Sequence, residues 1–373
     1  MPDRFLLIRL SAIGDVINTL PALALLRRAR PDARISFVVE DRAAELLVGH
    51  PCVDHVYIFE RRRFRELLRA GPRAWGTLRR EIRAYIAEIR SGAPDVALDF
   101  QGNLKGAFHS AFSGAPRRIG FAHGHSLEGS RFFATETVVP PTLSPHRVDK
   151  FCSLLGPLGI DSQMRDYLLP NSAAAVARAD ACREAAGLNR GRFVVIHPGT
   201  SGKGADKRWP AEYFGALAAR IEARTGCRVL VTWGPGEEAL AREVLRAAEG
   251  AGVLGPQPTS LLDLAALIEP AAVFVSADTG PMHLAAAKGV PVIAIYGPTK
   301  PVIWGPWPYG YKLPLPPYKK TGNQTVNNIH LVQGKASCIP CQEEGCDKHR
   351  KSYSHCLDTL PSTDIKHIIN KII

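Results

Sequence analysis

Three loops of this 373-residue sequence place charged side chains beside glycine, each directly after a predicted strand. Asp15 opens the first helix after Gly14, so its carboxylate could take a proton from an incoming hydroxyl, or could simply favour the helix dipole. Lys207 lies in a loop of small residues and lysines that could bind a diphosphate, although it lacks the Gly-Lys-Ser/Thr order of a P-loop and could be only a flexible basic loop. Glu237 could hold ribose hydroxyls or could be a solvated helix start.

The stretch 275–299 predicts a strand, a tight turn, a short helix and a second strand. Thr279 is placed to cap the helix. A helix N-terminus at the carboxyl end of a parallel strand has free N–H groups and a dipole that favour phosphate. Asp278 and His283 lie beside the same spot, so recognition of hydroxyl and phosphate groups could share it. The alternative is an ordinary strand–helix–strand unit in which Asp278 is only a cap.

Two further clusters could bind ligands. Residues 61–65 contain four arginines, a residue type that binds phosphate and carboxylate in a bidentate manner; the alternative is a solvated basic face. Four of the eight cysteines lie together near the C-terminal end, where a cytosolic chain more often has a metal site than disulfides. Four thiolates could close a tetrahedral zinc or iron site, or the cysteines could be reduced structural residues. They are Cys338, Cys341, Cys346 and Cys356.

Alternating strand and helix signals position these motifs. The alternation runs through residues 1–165 and begins again over 192–309, which predicts an α/β fold with parallel sheets and helices on both faces. A ligand is then expected in a cleft between two domains. Residues 166–191 resemble a connector with an alanine-rich helix. Residues 310–373 form a tail that contains the cysteine cluster and ends in a short amphipathic helix. Its basic residues are mostly lysine, whereas those of the preceding chain are mostly arginine.

Composition narrows the class of protein. A net charge of +12 and a pI of about 9.4 indicate an anionic partner, which could be nucleic acid, an acidic membrane surface or a phosphorylated ligand. Hydrophobic content of 46% and charged content of 22% are typical of soluble globular proteins. The apolar run at the N-terminal end is too short for a signal peptide or a membrane span, and no later stretch reaches the necessary length. We therefore expect a cytoplasmic protein.

Three motifs, taken together and in this order, resemble those of glycosyltransferase family 9, the ADP-heptose–lipopolysaccharide heptosyltransferases. They are SAIGDVINTLPAL over 11–23, DKRWP over 206–210 and DTGPMHLAAAKGVPVIAIYGPT over 278–299. The similarity runs through about residues 4–310. It implies a GT-B fold, in which two Rossmann-like doubly wound domains face a central cleft. The N-terminal domain would bind the acceptor and the C-terminal domain the nucleotide sugar.

The resemblance also implies a role for each candidate side chain. Asp15 would be the general base that deprotonates the acceptor hydroxyl, and Lys207 would steady the departing diphosphate. Glu237 would hold the ribose. The donor-binding set would be Gly14, Thr200, Ser201, Glu237, Asp278, Thr279, Gly280 and His283. The acceptor-binding set, by similarity to the members that add the first heptose, would be Arg61, Arg62, Arg63, Arg65 and Lys105.

The activity implied is inverting transfer of heptose from ADP-heptose to the Kdo region of an anionic lipopolysaccharide core precursor. It would occur at the inner face of the inner membrane, without nucleic acid and without a cofactor for catalysis. The cysteine cluster departs from the first-heptosyltransferase pattern, which leaves a structural zinc or iron ion open. The alternatives are a family 9 or autotransporter-type heptosyltransferase with another acceptor, another GT-B enzyme such as a UDP-sugar 2-epimerase, a basic nucleic-acid-binding protein, and a non-catalytic nucleotide-sugar sensor.

Overall fold

The chain folds into two units in a computed structural model, Met1–Asn171 and Ser172–Ile373. The structure describes residues 4–161, 164–170, 172–200, 204–257, 260–312, 315–349 and 352–373. The division falls inside the expected connector 166–191. The alanine-rich helix of that connector packs into a core of the second unit, and the tail 310–373 adds strands to the sheet of that unit.

The first unit is built on a six-stranded parallel sheet with the order β3-β2-β1-β4-β5-β6. Its strands are β1 (Arg4–Ile8), β2 (Arg34–Glu40), β3 (His55–Phe59), β4 (Val96–Asp99), β5 (Arg117–Phe121) and β6 (Glu136–Val138). Its helices are α1 (Ile13–Ala29), α2 (Arg61–Arg69), α3 (Pro72–Ser91), α4 (Leu104–Phe112) and α5 (Arg147–Cys152). This is the Rossmann strand order, and it reverses between β1 and β4, where ligands of open parallel sheets bind.

The second unit is built on a seven-stranded sheet with the order β12-β13-β11-β10-β7-β8-β9, parallel except for the β12–β13 pair. Its strands are β7 (Phe193–His197), β8 (Arg228–Val231), β9 (Val253–Leu254), β10 (Val273–Ala277), β11 (Val292–Tyr296), β12 (Gln324–Val326) and β13 (Ile329–Gln333). Its helices are α6 (Ala173–Ala185), α7 (Ala211–Thr225), α8 (Glu238–Ala247), α9 (Leu261–Ile268), α10 (Gly280–Ala287), α11 (Pro301–Trp304), α12 (His355–Asp358) and α13 (Thr363–Ile372). The order reverses between β7 and β10.

Burial explains why the central strands read as continuous apolar runs. Every residue of β7, β10 and β11 is buried, as in a parallel sheet that is covered on both faces. The long basic helical stretch after β3 is broken near Gly71, as the Gly71-Pro72 pair predicts. Helix α2 ends at Arg69, Gly71 adopts a φ of 75°, and Pro72 starts α3.

The tail belongs to the core of the second unit. Strand β13 pairs in parallel with β11, and α13 packs on α7. Cys356, Leu357 and Leu360 share a buried cluster with Trp209 and Phe214. Within the described ranges, no helix combines the length and apolar content that a bilayer crossing requires.

Candidate active site

In the first unit, the loops after β1 and β4 meet at the point where the strand order reverses. The Gln101 side chain accepts a hydrogen bond from the Leu10 N–H at 3.0 Å, which joins the two loops. Asp99, at the end of β4, accepts hydrogen bonds from the N–H groups of Gln101 at 2.9 Å and Gly102 at 3.1 Å. Burial raises the pKa of Asp99 to about 6 in spite of these hydrogen bonds.

Asp15 lies in the first turn of α1. The helix begins at Ile13, two residues before the start expected at Asp15, and it includes Gly14. The Asp15 side chain is 15% exposed and forms an ion pair with Arg9 through one oxygen. The other oxygen, Oδ1, is buried and has no hydrogen-bond partner within the described chain. A carboxylate held in this way can accept a proton or a hydrogen bond from a ligand hydroxyl.

Arg9 is a residue of this site that the sequence analysis missed. It follows β1 directly, is buried, and donates a hydrogen bond to the Phe100 carbonyl at 2.8 Å. Its guanidinium carbon lies 5.1 Å from the centre of the Phe151 ring. These contacts hold the guanidinium against Asp15. A basic residue next to a buried apolar strand was the signal that could have revealed it.

Helix α5 places two further cations, Arg147 and Lys150, where their charges interact with Asp15 and Arg9. The sequence analysis missed both residues. Burial lowers the pKa of Arg147, while the charge of Asp15 raises it. Burial, followed by the charges of Arg147 and Arg9, lowers the pKa of Lys150 to about 8. The Lys150 ammonium donates to the His125 carbonyl at 2.6 Å. Their spacing of three residues on one helix face was the available sequence signal.

The arginines expected to bind the acceptor lie on α2, and three of them are already paired with carboxylates. By nitrogen–oxygen distance the pairs are Arg61–Glu40 at 3.3 Å, Arg62–Glu66 at 3.0 Å and Arg63–Glu81 at 2.9 Å. Arg65 and Lys105 are exposed and form no ion pair within the described chain. The Arg62–Glu66 and Arg63–Glu81 pairs lie at the surface and contribute about 0–1 kcal/mol each, whereas Glu40 of the third pair is buried.

In the second unit, Lys207 and Asp278 meet where the strand order reverses. Lys207 ends a 3₁₀ turn over Ala205–Lys207 after β7, and its ammonium donates to Asp278 Oδ2 at 2.8 Å. Asp278 follows β10, the neighbour of β7. Thr279 takes the N-cap position of α10 with extended backbone, but the expectation of a side-chain cap is wrong, since its hydroxyl makes no capping hydrogen bond. The threonine side chain therefore does not cap the N–H groups in the first turn of α10.

Glu237 lies in a polar pocket of the second unit. Its Oε2 accepts from the Gly234 N–H at 3.1 Å and lies 3.9 Å from His197 Nε2, while Oε1 lies 3.7 Å from Arg208. Burial lowers the pKa of His197 to about 4, although the negative charge of Glu237 acts to raise it. The imidazole is therefore neutral at pH 7. A Cβ at Gly199 would lie 1.9 Å from Glu237 Oε2, so a larger residue there would displace the Glu237 carboxylate.

The remaining donor-site candidates are buried or lie outside the described residues. The Thr200 hydroxyl donates to the Gly204 carbonyl at 2.6 Å and accepts from Arg208 Nε at 3.2 Å. It thereby shapes the loop before Lys207. His283 is buried on α10. Ser201 is one of the residues that the structure does not describe.

The tail holds the loop that carries Lys207, a relation that the sequence did not reveal. The buried Ser354 hydroxyl donates to the carbonyl of Asp206, the residue before Lys207. Two residues after Lys207, Trp209 Nε1 donates to the Leu360 carbonyl at 2.8 Å. The loop is therefore anchored to the tail on both sides of Lys207.

The four clustered cysteines lie close enough to influence one another. Burial and the charges of the other three thiols raise the pKa of Cys356 to about 12. Cys338 and Cys346 are exposed. Among the described residues, no group of three or more His, Cys, Asp or Glu side chains is arranged to hold a metal ion. The four thiols are therefore not grouped as the ligands of one ion in the described structure.

The sequence model of glycosyltransferase family 9 (heptosyltransferase) matches residues 82–345. Lipopolysaccharide heptosyltransferase 1 of Pseudomonas aeruginosa is 32% identical over 354 residues, which span 92% of this chain and 87% of that protein. The Escherichia coli K12 protein of the same name is 29% identical over 310 residues, 81% of this chain and 90% of that one. Among solved structures, E. coli heptosyltransferase WaaC with ADP superposes with a TM-score of 0.72 at 25% identity, covering 99% of this chain and 100% of that chain.

The two Rossmann-like units and this structural likeness define a glycosyltransferase with the GT-B fold. The chain belongs to glycosyltransferase family 9, because the family model covers more than half of it. The resemblance expected from the three motifs is therefore confirmed, and the protein is an enzyme of the heptosyltransferase class.

Proposed function

We propose that the protein transfers heptose from ADP-heptose to a lipopolysaccharide core precursor, with inversion at the anomeric carbon. The observation that carries this proposal is the Lys207–Asp278 pair at the reversal point of the second sheet. The names of the similar proteins, lipopolysaccharide heptosyltransferase 1, support the acceptor class. The solved E. coli WaaC complexes with ADP and with ADP-2-deoxy-2-fluoro heptose support the donor.

Lys207 is proposed to stabilise the leaving diphosphate. As the bond between the anomeric carbon and the phosphate oxygen breaks, negative charge grows on that oxygen. The Lys207 ammonium and the N–H groups at the start of α10 offset this charge. Asp278 keeps the ammonium in place before the donor binds. Glu237, in its pocket, is proposed to accept hydrogen bonds from the ribose hydroxyls, with Gly14, Thr200, Ser201, Thr279 and His283 completing the donor set.

Asp15 is proposed as the general base. Its unpartnered Oδ1 takes the proton of the acceptor hydroxyl while that oxygen attacks the anomeric carbon and ADP departs. Arg9 pairs with the other oxygen and so orients the carboxylate. The acceptor is proposed to be the Kdo region, whose carboxylates suit the arginines Arg61, Arg62, Arg63 and Arg65 together with Lys105. We place the enzyme in the cytoplasm, at the inner face of the inner membrane.

A structural zinc or iron ion on Cys338, Cys341, Cys346 and Cys356 is proposed separately from catalysis. The close spacing of the four cysteines in the sequence supports it, and binding would bring together thiols that the described structure does not group as a metal site. Metal analysis of the purified protein tests it. About one equivalent per chain, lost in Cys356→Ser and kept in Cys182→Ser, is the expected result. No bound metal in the parent would refute the proposal.

The test of the function is transfer from ADP-heptose to Kdo-bearing lipid A in the presence of a chelator. We expect product from the parent and a loss of roughly 10²-fold or more in Asp15→Asn. Asp166→Asn, which removes an exposed carboxylate paired with Arg28, is the matched control and should keep the parental rate. Tight ADP binding without product would indicate that the enzyme uses a different acceptor, like another member of the family. Strict dependence on added Mg²⁺ would contradict the mechanism.

A further inference from the structure

The first unit has several large apolar side chains in solvent, and four of them belong to two segments that pack together. Phe132 is 76% exposed and Leu127 is 68% exposed, while Phe108 and Phe112 are 42% and 45% exposed. We call these four residues the aromatic face. They come from α4 and from the segment after β5.

Helix α4 packs against the 3₁₀ turn that carries Phe132. The rings of Phe108 and Phe112 stack with centroids 6.0 Å apart. Phe108 also meets the edge of Phe133 at 5.6 Å, next to Phe132 in the 3₁₀ turn Ser130–Phe133. Leu127 lies shortly before that turn, and its carbonyl accepts from the Ser130 N–H at 3.0 Å.

Arginines border this surface. The Arg131 guanidinium carbon lies 4.2 Å from the centre of the Phe132 ring. Arg83 and Arg90 line, with Phe112, a cavity of about 320 Å³ on α3. Arg90 also donates to the Phe112 carbonyl at 2.9 Å, which fixes the arginine beside the aromatic face.

The border is part of a larger concentration of positive charge. Helices α2 and α3 together contain ten arginines and three glutamates, a net charge of +7 out of the +12 of the whole chain. Exposed aromatic and aliphatic side chains next to clustered arginines suit the boundary between lipid headgroups and acyl chains, where anionic lipids attract cations. A protein partner would not require this excess of one charge sign.

We propose that the aromatic face and its arginine border dock on an anionic membrane surface. This inference rests on the proposed function, in which the acceptor is carried by a lipid. Phe132 and Leu127 enter the interfacial layer, while Arg83, Arg90 and Arg131 pair with lipid phosphates. The membrane thus receives the first unit, which also carries the candidate acceptor residues.

Sedimentation with vesicles tests the docking directly. The full chain is mixed with vesicles of phosphatidylglycerol and phosphatidylcholine in equal amounts, or of phosphatidylcholine alone. We expect binding to the anionic vesicles that high salt weakens, and a drop of roughly tenfold or more in the partition coefficient of Phe132→Ser. Phe132→Trp should bind like the parent. Tyr353→Ser, which removes an aromatic side chain that is 56% exposed in the second unit, is the control.

Kinetics separate docking from catalysis. On a soluble Kdo-bearing acceptor without acyl chains, Phe132→Ser should match the parent, whereas on acceptor in vesicles its rate should fall with its binding. No transfer by the parent would reject the proposed function, yet the vesicle result would still decide the docking. Equal partition of parent, Phe132→Ser and Tyr353→Ser would overturn the inference. A parental dimer that Phe132→Ser converts to a monomer would also overturn it, because the face would then bind a second copy.

Discussion

Replacing Ser354 with alanine removes the hydrogen bond that ties the tail to the loop carrying Lys207. The hydroxyl is buried and donates to the Asp206 carbonyl, so alanine deprives that carbonyl of a buried donor. Such a loss costs about 1–3 kcal/mol of the free energy of unfolding. For a unit of this size it corresponds to a fall of roughly 2–12 °C in the melting temperature.

The functional consequence follows from the position of Lys207. Its ammonium depends on the same loop for the 2.8 Å contact with Asp278. We expect the kcat/KM for ADP-heptose to fall about tenfold, which corresponds to about 1.4 kcal/mol. Ser354→Thr retains a hydroxyl and should restore most of this loss, which a merely destabilised fold would not do.

Ser352→Ala is the matched control, because Ser352 bonds to Asp347 on the exposed part of the same tail. Its effect on stability should stay within about 0.5 kcal/mol. The assays are thermal unfolding and donor-dependent initial rates at saturating acceptor. Parental values for Ser354→Ala, or equal losses in both alanine variants, would refute the argument that the tail positions Lys207.

Three further predictions concern the two sites. Gly199→Ala, whose Cβ would meet Glu237 at 1.9 Å, should weaken ADP binding roughly tenfold by calorimetry. Gly156→Ala, with open space around its Cβ, is the control and should bind ADP like the parent. Equal affinities of the two variants would contradict the role of Glu237 in ADP binding. Because burial raises the pKa of Asp99 to about 6, the native state keeps a proton that the unfolded chain releases, so the free energy of unfolding falls by about 3 kcal/mol as the pH rises from about 4 to 6. Urea unfolding of Asp99→Asn should lack this slope, and an unchanged slope would exclude Asp99 as its source. Because burial lowers the pKa of Lys150 to about 8, the positive charge that it places near Asp15 is lost above that pH. The KM for an anionic acceptor should therefore rise above that pH in the parent but not in Lys150→Arg, and identical profiles would show that this charge does not act on the acceptor.

Much of the architecture could be predicted from the sequence, because central strands and their turns are encoded by neighbouring residues. The run Val292–Tyr296 is apolar and β-branched, and it forms β11 with those bounds. The break at Gly71 before Pro72 is likewise local. The edge strands β6 and β12 were missed because they are only three residues long, mostly charged or polar, and paired through one neighbouring strand.

The amino-acid sequence by itself determined the α/β class, the two series of strands and helices, and the motifs that place the chain in glycosyltransferase family 9. Only the tertiary structure decided which side chains meet. Lys207 reaches Asp278, 71 residues away, because β7 and β10 are neighbours in the sheet. Arg9 pairs with Asp15 under the Phe151 ring, and Ser354 reaches Asp206 across 148 residues. Helix periods and turn preferences act over a few residues, whereas these contacts depend on strand order and on how the tail packs.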